Sequence, residues 1–153
     1  MANFVFNIAK GRVGQLVTNV ENNSPAGCCL RVIALEATGL ESQANLQDSL
    51  SFAEVIDGAT NEQVSNFTRK QILAAGIDLL LDTGNDWYDY DIADQTWSAA
   101  TGNAVGALVV CYDATGADAN AALLPLTHHD FAVTPDGSDI VAQINVEGFY
   151  RAS

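Results

Sequence analysis

Basic residues are scarce in this sequence. Only six of the 153 residues are Lys or Arg, against 19 Asp and Glu, so the formal net charge at pH 7 is −13. Proteins that bind nucleic-acid backbones cluster Lys and Arg to displace counterions, and attraction to anionic lipid needs the same cations. The composition therefore predicts no nucleic-acid partner and no membrane surface. It favours instead a partner with a basic surface.

Cysteines are few, and their number is odd. The three are Cys28, Cys29 and Cys111, which does not make a disulfide framework. Neighbouring side chains on a strand point to opposite faces, so Cys28 and Cys29 are not placed to chelate one metal together. We expect three free, buried thiols that behave as small apolar residues, in a chain made in a reducing cytoplasm.

Long apolar runs are also absent. No segment approaches the 18 or so consecutive apolar residues of a membrane-spanning helix. The segment Met1–Val13 is too short and too polar for a secretory signal. The sequence thus predicts neither a membrane anchor nor export.

One apolar segment nevertheless stands out, Ala104–Tyr112, which reads A-V-G-A-L-V-V-C-Y. It is rich in β-branched Val, and Gly-containing turns flank it on both sides. Such a short apolar run predicts a strand buried on both faces, around which we expect the fold to be organised. Gly106 within it indicates either a bulge or the close approach of another backbone.

Alternation of apolar and polar residues predicts further strands. They are Asn3–Ala9, Arg12–Val20, Cys28–Ala37, Asn66–Ile72, Leu123–Asp130 and Asp139–Tyr150. Arg31 is expected at an edge or beside a carboxylate, and Pro125 at an edge or a bulge. With about seven or eight strands and this length, residues 1–153 predict one mainly β domain, an antiparallel β-sandwich or barrel. Extended terminal arms are an open alternative for its ends.

One stretch changes to helical spacing. Apolar residues within Leu46–Ile56 recur near every third or fourth position, which predicts one short helix over about 46–57. Asp48 or Ser49 is the expected N-cap, and Gly58 the expected end.

The segment Gly76–Asp94 contains six Asp residues interleaved with aromatic residues. An EF-hand needs a Gly at the sixth position and a Glu at the twelfth, and Asp82–Asp86 provides neither pattern. A calcium site of another kind stays open beside the alternatives of a solvated loop or a surface facing a basic partner. The interleaved aromatic residues suit a protein contact surface.

His128-His129-Asp130 raises the question of metal binding or catalysis. Adjacent residues on an extended segment point apart, so both imidazoles do not easily reach one ion. The sequence has no G-x-S-x-G nucleophile elbow. Abundant Asp leaves a carboxylate pair for glycoside chemistry conceivable, but abundance does not identify one. We therefore predict no enzyme, no catalytic residue, no cofactor and no metal site.

Several segments resemble small structural proteins of tailed bacteriophages. They are F-N-I-A-K-G-R-V (Phe6–Val13), A-T-N-E-Q (Ala59–Gln63), T-W-S-A-A-T-G-N-A (Thr96–Ala104), L-T-H-H-D-F-A-V-T-P-D-G-S-D (Leu126–Asp139) and the terminal G-F-Y-R-A-S. The resemblance spans the chain and brings no catalytic residues. It implies a virion component, most similar to a capsid decoration (cement) protein on the outer surface of the head.

The partners implied by this resemblance are the major capsid protein and copies of the chain itself, as a homo-oligomer on the virion. The apolar ends Met1–Ile8 and Gly148–Ser153 and the aromatic segment Trp87–Trp97 are expected to supply contacts. The predicted partner-binding side chains are Phe4, Phe6, Trp87, Tyr88, Tyr90, Trp97, Phe149 and Tyr150. A neck, tail-terminator or other tail protein is the alternative position, and a binding module unrelated to a virion is a further one.

Overall fold

A computed structural model describes residues 2–152 of the chain. Within that range the strands are β1 (Phe4–Val5), β2 (Cys29–Glu36), β3 (Lys70–Ile72), β4 (Ile77–Asp82), β5 (Trp87–Ile92), β6 (Gln95–Trp97), β7 (Val105–Asp113), β8 (Leu124–Val133), β9 (Ile140–Ala142) and β10 (Tyr150–Ala152). The helices are α1 (Val13–Glu21), α2 (Gln43–Leu46) and α3 (Phe52–Val55), with 3-10 turns at Asn7–Ala9 and Ala74–Gly76.

The strands form three antiparallel sheets. The main sheet has five strands in the order β1-β8-β7-β2-β3, the outer sheet has the order β10-β5-β4, and the small sheet pairs β6 with β9. The sheets pack on a shared apolar core, and over residues 2–152 none of them closes into a barrel. The mainly β, antiparallel fold predicted from the sequence is confirmed, in its open form.

The middle strand of the main sheet is β7, and all nine of its residues are buried. It pairs along its length with β2 and β8, as the apolar run predicted. Both alternatives for Gly106 occur. The register shifts between Val105 and Ala107, and a Cβ on Gly106 would lie 2.9 Å from the Cα of Ala37.

Two details of the neighbouring strands also agree with the sequence. Arg31 of β2 is buried and donates from Nε to Asp113 Oδ2 at 3.3 Å. The register of β7 and β8 shifts between Val110 and Cys111, opposite Pro125. All three cysteines are free and buried.

The segment Arg12–Val20 is helix α1, and the prediction of a strand there is wrong. Val13, Leu16, Val17 and Val20 are its buried residues, a spacing of three, one and three that places them on one helical face. Gly14 lies where Tyr90 of β5 approaches, since a Cβ there would meet the Tyr90 hydroxyl. The helix therefore packs against both the outer sheet and β2 of the main sheet.

The predicted helix over 46–57 is replaced by two single turns, α2 and α3. The residue that caps α3 is Ser51, whose Oγ accepts from the Glu54 amide at 3.4 Å, so neither Asp48 nor Ser49 has that role. The Phe52 amide donates to Leu123 O at 2.9 Å. This long-range bond takes the place of a helical one, which is why the helix does not continue through the segment.

Both ends of the described chain contribute strands to sheets. Strand β1 covers only Phe4–Val5 and pairs with β8. The predicted strand Asp139–Tyr150 is split into β9 and the start of β10, with Val146 between them 83% exposed. Likewise only Lys70–Ile72 of the predicted strand 66–72 is a strand, at an edge of the main sheet. Met1 and Ser153, which belong to the predicted contact segments, lie outside the described residues.

Candidate interaction surface

The outer sheet begins as the hairpin of β4 and β5, joined by the turn Thr83–Asp86. Asp82 organises this turn: its Oδ1 accepts from the amides of Gly84 and Asn85 at 2.8 and 3.1 Å. Its Oδ2 accepts from the Asn85 side chain at 2.9 Å. The Asn85 side chain and the Gly84 amide lower the pKa of Asp82. The carboxylate is therefore ionised at neutral pH and its oxygens are used within the turn.

One face of the outer sheet is apolar. Its cross-strand pairs are Ile77 with Ile92, Leu79 with Tyr90, and Leu81 with Tyr88. Tyr150 of β10 continues the row beyond Tyr90. The ring centroids of Tyr88 and Tyr90 are 6.5 Å apart, and those of Tyr90 and Tyr150 are 5.9 Å apart. The three tyrosines thus form an aromatic row across the sheet.

This apolar face is covered at one end only. At the inner end, Ile77, Tyr90 and Ile92 are buried in the core. At the outer end, Leu81 is 55% exposed and Tyr88 is 46% exposed. A row of large apolar side chains that passes from the core into solvent has the composition of a contact surface.

The opposite face is acidic and carries one cation, Arg151. The Arg151 guanidinium donates to both carboxylate oxygens of the buried Asp89, at 2.5 and 3.0 Å. It lies 3.4 Å from Glu147 and 3.8 Å above the Trp87 ring centroid. These contacts tie β10 to β5 and satisfy Asp89.

Two further carboxylates on this face have no such partner. Asp78 lies directly opposite Asp91 across the β4–β5 ladder. Burial raises the pKa of Asp91, and the neighbouring charges of Asp78 and Asp94 raise it further. Within residues 2–152, the ion pairs of Lys and Arg do not include Asp78 or Asp91. Like charges in directly opposite positions destabilise a ladder, so this pair is a local cost to the free chain.

The structure brings together four of the eight predicted contact residues, all in the outer sheet. They are Trp87, Tyr88, Tyr90 and Tyr150. Tyr88 is exposed and Trp87 and Tyr150 are half-buried, whereas Tyr90 is a core residue. The half-buried Phe149 adjoins them, because its amide donates to Tyr90 O at 2.9 Å.

The remaining predicted residues lie elsewhere. Phe6 and Trp97 are fully enclosed in the core, where the Trp97 indole donates to Thr68 O at 2.9 Å. Phe4 is half-buried and stacks on the His128 ring at 4.5 Å. Enclosed side chains support the surface rather than form it.

The exposed residues that sequence reasoning missed are Leu80 and Leu81. Leu80 is 45% exposed on the acidic face, opposite Asp89. The signal was present in the sequence, since three consecutive leucines between Asp78 and Asp82 cannot all face one core from a strand.

A cavity of about 440 Å³ lies between the main sheet and the segment that joins β9 to β10. Val32, Leu108 and Val110 line its apolar side. Burial lowers the pKa of His129, at its wall, to about 4, and its Nε2 lies 2.9 Å from Thr127 Oγ1. The cavity has a size that suits small ligands. Its rim carries carboxylates as well as Arg151, so its charge selects no single ligand class.

The adjacent histidines do not share a site. His129 faces the cavity, whereas His128 is fully buried on the other face of β8, where its ring stacks on Phe4. Burial lowers the pKa of His128 to about 4, so both imidazoles are neutral at pH 7. Over residues 2–152, no group of three or more His, Cys, Asp or Glu is placed to hold a metal ion. In the same range, no helix is long and apolar enough to cross a bilayer.

Comparisons with known proteins add no relative. No protein-family model, no curated protein and no solved structure matches this chain.

Proposed function

We propose that this chain is a structural protein of a tailed-phage virion, a capsid decoration protein that binds the major capsid protein lattice and stabilises the head. The observation that carries the proposal is the outer sheet, which holds Leu81 and Tyr88 in solvent on a support anchored in the core. The resemblance of the sequence to small phage structural proteins names the kind of partner. The function is adhesion, and no bond is made or broken.

The surface has the chemistry that adhesion needs. An apolar centre with aromatic residues and a polar rim is the usual anatomy of a protein interface. Tyr88 provides an aromatic anchor beside Leu81 on the apolar face of the sheet. Aromatic anchors of this kind supply a large share of binding energy.

Stabilisation of the head follows from linkage. A protein that binds only the assembled lattice favours assembly by mass action. A stable contact needs roughly 1,000 Å² of buried surface, more than Leu81 and Tyr88 alone offer. Several copies bound side by side would also bury surface against one another and would reach this area together. A lattice, which presents repeated neighbouring sites, is therefore a suitable partner.

The test is binding of the purified chain to phage shells that lack it. We expect the chain to sediment with the shells and to raise the temperature at which they disassemble. The double variant Leu81→Ser/Tyr88→Ser should bind at least about tenfold more weakly. Leu50→Ser is the matched control, because Leu50 is 61% exposed outside the outer sheet, and it should bind as the unaltered chain does.

Three outcomes would contradict the proposal. Absence of the chain from the sedimented shells would refute the proposal. A dozen or fewer copies per particle would indicate a position in the neck or tail. Equal binding by the double variant would exclude the outer sheet as the contact surface.

A further inference from the structure

Strand β4 is a free edge of the outer sheet. It pairs with β5 alone among the described strands. An edge strand presents unpaired amide and carbonyl groups that template another strand. Leu80 and Leu81, both about half exposed, lie on this edge. The occupant of such an edge is either a second copy of β4 or an extended segment of another protein.

The sequence of β4 disfavours a second copy. Residues 78–82 read D-L-L-L-D, which is the same in both directions. Antiparallel pairing centred on Leu80 would place Asp78 opposite Asp82 of the second copy, and Asp82 opposite its Asp78. Like charges in directly opposite positions destabilise a ladder. A shift of one residue would place carboxylates beside the apolar face instead. A shift of two residues would place Asp78 opposite Leu80, and in no register does β4 offer a Lys or Arg to Asp78 or Asp91.

The acidic face of the outer sheet favours a basic segment of another protein as the strand that pairs with β4. Asp78 and Asp82 point to this face at the edge itself, and Asp91 lies behind Asp78 on β5. A side chain on an added strand would lie about 4.5–5.5 Å from its opposite neighbour on β4, measured between Cβ atoms. A Lys or Arg opposite Asp78 would thus reach the uncompensated Asp78–Asp91 pair. The other face of the added strand would continue the row of Leu79 and Leu81.

We propose that β4 binds an extended segment of a partner protein in which Lys or Arg alternates with apolar residues. The segment adds a fourth strand to the outer sheet, with its cations beside Asp78 and Asp82 and its apolar side chains beside Leu79 and Leu81. Backbone hydrogen bonds supply affinity in such strand addition, and alternate side chains supply specificity. The placement of this segment in a shell protein rests on the proposed function, whereas the chemistry of the edge does not.

The first experiment uses a short peptide of alternating Lys and Val, added to the isotope-labelled chain and followed by NMR. We expect chemical-shift changes and slower amide exchange in β4, both weaker at high salt because the charges are exposed. Asp78→Asn/Asp91→Asn should weaken binding about tenfold. Asp57→Asn is the matched control, since Asp57 is an exposed carboxylate outside the outer sheet, and it should leave binding unchanged.

A second peptide, with the same charge but a central Pro, separates strand addition from simple attraction, because Pro removes a ladder donor. Equal binding of this peptide, or shifts that avoid β4, would overturn the inference. Dimerisation of the free chain through β4 at neutral pH would also overturn it.

Shell binding distinguishes the two proposals. If shells bind the unaltered chain and Asp78→Asn/Asp91→Asn equally, the inference fails and the proposed function stands. If the peptide binds β4 but shells do not bind the chain, the proposed function fails and the inference stands.

Discussion

The centre of the main sheet and the edge of the outer sheet are built from the same kind of residue and have opposite surroundings. Val109 of β7 is fully buried, with a strand on each side, whereas Leu81 of β4 is 55% exposed, with a strand on one side only. Both lie in runs of apolar residues. The comparison teaches that the position of a strand in its sheet, more than its composition, decides whether its apolar side chains are buried or remain in solvent.

Charges differ between the two regions in the same way. In the main sheet, Arg31 is buried against Asp113 and also donates to Gly116 O at 2.9 Å. Burial would raise the pKa of Asp113, but the amides of residues 115, 116 and 118 and Arg31 outweigh it and lower the pKa. In the outer sheet, Asp78 faces Asp91, and within residues 2–152 neither is paired with Lys or Arg, although Asp91 accepts from the Ile92 amide at 2.8 Å. The carboxylate of the main sheet is thus paired with a cation, whereas this pair at the edge of the outer sheet is not.

The largest effect is expected from Ile33→Ala, which removes a fully buried side chain beside β7. Loss of buried methyl groups from a packed core should lower the free energy of unfolding by about 2–5 kcal/mol. Urea unfolding at neutral pH measures the difference. A loss below about 1 kcal/mol would mean that the main sheet tolerates a cavity, and the contrast between the regions would weaken.

Acid should destabilise the main sheet through His128. Its pKa is about 4 in the folded chain and about 6.5 unfolded, so the unfolded state binds the proton more tightly. Its contribution is present above pH 6.5 and is lost as the pH falls towards 4, by on the order of 3 kcal/mol. Unfolding curves between pH 7 and pH 4 measure this loss.

His128→Phe provides the control for that titration, because an aromatic ring still stacks on Phe4 but takes up no proton. The variant should show a flatter dependence of stability on pH between 6.5 and 4. An unchanged pH dependence would assign the acid sensitivity to His129 or to the carboxylates.

A smaller, local effect is expected from Arg151→Ala. The substitution removes the bonds to Asp89 and the contact with the Trp87 ring, so β10 should detach from β5 while the main sheet remains intact. Amide exchange should accelerate at residues 150–152 and stay unchanged in β7. Acceleration throughout the chain would show instead that the two regions unfold together.

The smallest effect on stability is expected from Leu81→Ala. An exposed substitution should change the free energy of unfolding by no more than about 0.5 kcal/mol. Comparison with Ile33→Ala by the same urea unfolding gives the contrast directly. A loss as large as that of Ile33→Ala would show that Leu81 supports the fold rather than a contact.

The sequence predicted the centre of the fold well and the periphery poorly. Ala104–Tyr112 agrees with β7 to within one residue at each end, because an unbroken apolar run of that length has few alternatives. The strand predicted over Arg12–Val20 is wrong, because the buried residues of α1 have helical spacing. The interrupted helix over 46–57 depended on the bond from the Phe52 amide to Leu123 O, a contact between distant parts of the chain.

The sequence predicted part of the candidate surface. The sequence singled out Tyr88 and the acidic residues around it, because aromatic and acidic residues together are typical of contact surfaces. The sequence also predicted Phe6 and Trp97 as contact residues, but both are buried in the core. Burial depends on which distant residues pack against a side chain, and the neighbouring sequence does not show this.

By itself the sequence determined a mainly β domain with a buried central strand, free thiols and an acidic surface, since periodicity and composition are properties of the chain alone. Only the tertiary structure decided that β4 is an edge, that Asp78 faces Asp91 and that Leu81 remains in solvent. The physical reason is that strand order and cross-strand neighbours join residues far apart in sequence. No local pattern encodes which side of a strand will lack a partner.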